Sequence, residues 1–190
     1  ETGWIEDGQD TSEEYCGSCF STHGIAQRYS GAFFGVDAPR ELLCEPRIND
    51  DNEKVGGRCC EVKIHKKGLG PPQWTPVDPG DRGMLKPWLK RGLDIYDALE
   101  EAKGSSDHIF EVFPTASYKM LGKEQAASLT DPNATVTFSF EQFQHGHKDM
   151  LDAIISALTV KEYVAGNGDE VGGEDNLGTI ILPRKLPDRA

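Results

Sequence analysis

Apolar residues along this chain come in short groups separated by polar, glycine-rich stretches. Ala32-Phe-Phe-Gly-Val-Asp37-Ala-Pro39 is a brief apolar run bounded by Gly31 and Pro39, the form taken by a buried parallel strand. Alternation puts Asp37 at the carboxyl end of that strand, on the side of Phe33 and Gly35. Between Pro87 and Ala102, Leu89, Leu93, Tyr96 and Leu99 recur at helical spacing before Gly104, which predicts an amphipathic helix. Ile109-Phe-Glu111-Val-Phe-Pro114 is a second strand-like run, and Tyr118 to Leu121 suggests a short helix after it. Leu151, Ile154, Ile155 and Leu158 form an apolar stripe on a helix expected from near Lys148 to Ala165, stopped by Gly166-Asn-Gly168. Thr179-Ile-Ile-Leu-Pro183 reads as a last short strand.

The stretches between these are weaker. Gly3-Trp4-Ile5 has the look of a strand remnant, and Thr11 to Tyr29 is expected to be helical in part, with Ser12 as its N-cap. Ala134 to Phe140 alternates polar with apolar residues and is a strand candidate, or a lead-in to the last helix. Residues 41–83 are polar and contain several glycines and prolines. A connection that long and structureless is commonly a lid or binding loop. Arg58, Lys63, His65, Lys66 and Lys67 gather positive charge in it, as a solvated loop or as a flap facing phosphate. Glycine and acidic residues fill a loop up to Gly178.

The 190 residues suit one domain, with its core over about 31–183 and the polar insertion over about 41–83. A net charge of −12 argues against a binder held to nucleic acid by charge alone. It leaves room for an enzyme that meets phosphate through bound metal. No run has the roughly 18 apolar residues of a membrane helix, so no membrane partner is expected. Five cysteines, among them Cys16-Gly-Ser-Cys19, the adjacent Cys59 and Cys60, and Cys44, include no second ligand pair, so structural zinc is disfavoured. They read as reduced thiols, and with no secretory leader in view the expected location is the cytoplasm.

Four acids carry the candidate chemistry. Asp37 ends a strand, where open α/β sheets build their sites, although an aspartate before proline also suits a turn. Glu111 lies among aromatic and branched neighbours. On a central strand its charge would be costly unless paired or bound to metal, and on an edge strand it would be wet. Asp149 and Asp152 are three apart at a helix start. They share a helix face, where a hard divalent cation would offset their repulsion. The helix dipole alone also favours acids there.

Gly35-Val-Asp-Ala-Pro39, Phe110-Glu-Val-Phe-Pro114, Asp149-x-x-Asp152-Ala and Gly178-Thr-Ile-Ile-Leu-Pro183, in this order, resemble the family called domain of unknown function 429. That family is regarded as predicted nucleases of ribonuclease H-like fold. The start of the last helix is also similar to that of Holliday-junction resolvases. The resemblance implies a ribonuclease H-like mixed sheet flanked by helices. It also implies hydrolysis of phosphodiester bonds in DNA, RNA or a small nucleotide by two magnesium or manganese ions. Asp37, Glu111, Asp149 and Asp152 would be catalytic. Asp37, Glu111 and Asp152 would hold metal, with Asp149 a direct ligand or one step removed. His147, as a proton shuttle or a helix cap, stands beside them. In that fold a first strand carries a further aspartate in a segment ending Gly-Trp; here the chain opens at Glu1-Thr-Gly-Trp4, as though that strand lay upstream. The rival expectation is a non-catalytic binding or scaffolding domain with the same fold.

Overall fold

The structure is a computed structural model that describes residues 22–29, 31–46, 56–71, 75–121 and 148–186, with the backbone alone for 148–151. Its elements in chain order are α1 (Thr22–Arg28), β1 (Phe34–Val36), α2 (Cys59–Lys66), α3 (Pro87–Lys103), β2 (Ile109–Val112), α4 (Pro114–Leu121), α5 (Lys148–Val164), β3 (Asp169–Gly172) and β4 (Thr179–Leu182). A short 3-10 turn over Arg82–Met84 precedes α3. The expected strand over 134–140, the first residues up to 21, Cys16, Cys19, His147 and the Asp149 side chain lie outside the described residues.

The four strands form one mixed sheet in the order β1-β2-β4-β3. β1, β2 and β4 run parallel, and β3 returns antiparallel on β4. The chain is therefore α/β, as its patterning predicts. Neighbouring strands pair without interruption across this sheet. β2 lies inside it, which removes the edge-strand reading of Glu111.

Helices cover both faces. On one, α5 packs across β1, β2 and β4, and Val160 meets Val112 and Ile181. On the other, α3 covers β1 and β2, and α2 covers β3 and β4. Val36, Tyr96, Leu99 and Ile109 fill the α3 side, while Cys60, Ile64, Val171, Ile180 and Leu182 fill the α2 side. α3 forms as its periodicity predicts, with Leu89, Leu93, Tyr96 and Leu99 buried. Pro87 opens it, and Gly104 ends it in the left-handed conformation at φ 70°.

Two expectations require correction. The polar insertion is not structureless, because it contains α2, whose Cys60 and Ile64 face the sheet one turn apart. The acidic, glycine-rich stretch before Gly178 is not all loop. Asp169–Gly172 pairs with Thr179–Leu182 as β3, although Val171 is its one buried residue. No helix among the described residues is long and apolar enough to cross a membrane.

Candidate functional site

The carboxyl ends of the parallel strands open into a cleft of about 530 Å³, lined by residues from the loop after β1, from α2, from the entry to α3 and from β2. Two close approaches shape it. Gly92 in α3 faces Ala38, and a side chain at 92 would collide with the Ala38 methyl. This contact, with the Tyr96 hydroxyl donating to the Ala38 carbonyl at 3.0 Å, holds the loop carrying Asp37 against α3. Gly35 plays the same part on the other face. A β-carbon there would stand 2.9 Å from Val160 and 3.1 Å from the Ser156 carbonyl, so α5 can approach β1 closely only because residue 35 has no side chain. Asp152 is one helical turn before Ser156, whose hydroxyl donates to the Asp152 carbonyl at 2.7 Å.

Glu111 faces α2 and α3 from the centre of β2 and is 5% exposed. Its charge is answered by Arg58, itself 1% exposed. Arg58 Nη1 donates to Glu111 Oε2 at 2.7 Å and Nη2 donates to Oε1 at 2.5 Å, a two-pronged pairing. The Arg40 backbone N–H donates to Oε2 at 3.0 Å. Arg58 also donates to Glu61 through Nε and Nη2, and through Nη1 to the Leu177 carbonyl at 3.2 Å. Glu61 in turn accepts from the Thr75 N–H and hydroxyl. Burial pushes the Glu111 carboxyl above its usual range, against the pull of Arg58. Burial works against the Arg58 charge too, but the hydrogen bonds and charge of Glu111 outweigh it and hold the guanidinium above its ordinary value. The Cys60 thiol beside them is pushed up to about 12, chiefly by burial.

Asp37 and Asp152 have different surroundings. Asp37 is exposed at the end of β1 and lines the cleft, whereas Asp152 is buried near the start of α5. Both act on Tyr118 of α4. Its phenol is pushed up to about 12, first by burial, then by the charge of Asp152 and a hydrogen bond to it, then by the charge of Asp37. α4 is fixed to α5 next to this tyrosine by the Thr159 and Ser117 hydroxyls, 2.8 Å apart.

The structure thus divides the predicted acids. Asp152 hydrogen-bonds to Tyr118 and the charge of Asp37 is felt at the same phenol, while Glu111 turns to Arg58 inside the fold. Asp149 belongs to α5, three residues before Asp152. Among the described residues, no three His, Cys, Asp or Glu side chains form a set that could hold a metal ion. The basic cluster of the insertion also divides. Arg58 is buried rather than part of a flap, and Lys63 pairs with Glu174. Sequence reasoning missed Tyr118, Glu61 and Thr75 as parts of the site. The one available signal was the burial implied for Glu111, which called for a cation without saying which.

Comparison of the chain with protein-family models, with curated proteins and with solved structures finds no match.

Proposed function

We propose that the protein is a metal-dependent phosphodiester hydrolase of ribonuclease H-like type, in line with the motif resemblance. The observation that carries this reading is the exposed carboxylate of Asp37, lining the cleft at the carboxyl end of a parallel strand, with the charge of Asp152 from the last helix acting on the same phenol, Tyr118. Carboxylate oxygens are the donors that magnesium and manganese prefer. The described side chains supply two such groups, and Asp149 is on the same helix as one of them. When bound, the metal would activate water and stabilise the leaving oxygen. The Tyr118 hydroxyl orients Asp152, and the Arg58–Glu111 pair holds the cleft floor rigid. In this reading Glu111 is a structural anchor rather than a metal ligand.

The test is calorimetric titration with manganese chloride, followed by cleavage assays on labelled DNA and RNA. Wild type should bind manganese and cut one of these substrates. Asp152→Asn should abolish manganese uptake and lower cleavage by about 100-fold or more, with the fold kept by circular dichroism. A second reading, a binding domain without catalysis, is favoured by the pairing of Glu111 with Arg58, which takes one expected ligand out of reach. Absence of both manganese uptake and cleavage in wild type would decide for it.

A further inference from the structure

Two residues at the entry to α3, Lys86 and Trp88, also line the cleft. Trp88 lines it with 57% of its surface exposed, although an indole is usually largely covered. Its backbone is not loose, because Trp88 is the second residue of α3 and the next residue, Leu89, is buried in the core. Lys86, immediately before the helix, lines the same cleft. No acidic residue stands in the first turn of α3 to offset that charge. Ile64 and Phe113 add apolar lining, and Asp37 borders the space together with Glu61 and Glu111, both of which are paired with Arg58. A flat π-face, a cation and an apolar lining together match the three parts of a nucleotide. The volume of about 530 Å³ is that of a small-molecule pocket.

We infer that this part of the cleft takes one unpaired nucleotide of a single-stranded nucleic acid, its base stacked on Trp88 and its phosphate against Lys86. The inference rests on reading Asp37 and Asp152 as a phosphodiester-cleaving pair, and it gives that pair a substrate class. Inside a duplex both faces of a base are covered by its neighbours, so only an unpaired base can lie on the indole. The net charge of −12 repels a long polyanion. Attraction therefore has to be local, and a short stretch of strand is what a local contact can hold.

The experiment is fluorescence anisotropy with a fluorescein-labelled oligothymidylate of about 12 nucleotides, in EDTA and without divalent ions. Wild type should bind it. Trp88→Ala should weaken binding about tenfold, while Trp88→Phe, which keeps a stacking face, should stay within about threefold. Lys86→Ala should reduce the slope of log affinity against log salt by about 0.7. A blunt duplex containing the same oligothymidylate should bind at least about tenfold more weakly than the single strand. Equal binding by wild type and a folded Trp88→Ala, or equal binding of duplex and single strand, would overturn the inference. Because no bond is cut in EDTA, the two readings fail separately. Trp88-dependent binding without manganese-dependent cleavage removes the hydrolase and leaves the nucleotide site. Cleavage with Trp88-independent binding removes the nucleotide site alone.

Discussion

Glu111 on a central strand, Asp37 at a strand end and Asp152 near a helix start carry the same chemical group in different surroundings. Glu111 faces inward, and every charge it brings is met by Arg58, with the Arg40 amide beside it. Asp37 lies where β1 ends and Asp152 near where α5 begins, one exposed and one buried, and the charges of both bear on the Tyr118 phenol. A carboxylate locked to a buried guanidinium contributes to the fold mainly by not being left alone, since removing its partner is what costs stability. A carboxylate at the mouth of a cleft can change partners at little cost. Surroundings, more than residue type, separate the carboxylate locked inside the fold from the one exposed at the cleft.

The largest test of that contrast is Arg58→Ala. It strands Glu111 and Glu61 in the interior and should cost about 3–5 kcal/mol in urea unfolding. Removing all three charges together, as Arg58→Met, Glu111→Leu and Glu61→Gln, should bring stability back to within about 1 kcal/mol of wild type. Failure to recover would mean that the network does more than neutralise itself. Tyr118→Phe should cost a smaller amount, about 0.5–1.5 kcal/mol, for its hydrogen bond to Asp152. It should also change the alkaline limb of the stability profile. The folded-state phenol is held at about 12, above its ordinary value of about 10. Between those values the unfolded chain loses a proton that the folded one keeps, so this group's contribution falls as pH rises through the window. Unfolding measured from pH 9 to 12 should therefore fall less steeply in Tyr118→Phe than in wild type. The smallest effect on stability belongs to Asp37→Asn, expected within about 0.5 kcal/mol because the side chain is exposed. The same change should abolish manganese uptake measured by calorimetry. A stability loss as large as that of Arg58→Ala would erase the distinction between the two regions.

The elements legible in the sequence were those with a local signature. β1, β2 and β4 are apolar runs closed by glycine or proline, and α3 and α5 carry apolar stripes at helical spacing. α2 had no such signature. Only Cys60 and Ile64 of its eight residues are buried, too few to mark a periodicity. Its first N–H group, that of Cys59, is capped by Asp175, which is 116 residues away. β3 was equally hidden, because one buried valine is not an alternation and the strand exists by hydrogen bonding to β4. In the site, the need of Glu111 for a counter-charge could be read from its apolar neighbours. That the counter-charge was Arg58, from a segment resembling a solvated loop, could not. The contact spans 53 positions and depends on α2 packing against the sheet. The order of the motifs put Asp37 at a strand end and Asp152 near a helix start, whereas Tyr118, which hydrogen-bonds to Asp152, gave no sign of itself in the sequence.

The reach of Arg58 also sets a timetable for assembly. One guanidinium touches residue 111 and the carbonyl of residue 177, and the strand beneath the cleft is completed by residues 179–182. Contacts this distant in sequence form late, after the entropy of closing the intervening chain has been overcome. As the chain leaves the ribosome, β1 and α3 can meet while Arg58 has Glu61, three residues on, but neither Glu111 nor the Leu177 carbonyl to hold. The floor of the cleft is completed only once the last strand has arrived, so a truncation before residue 177 would leave Arg58 without the carbonyl that completes its coordination.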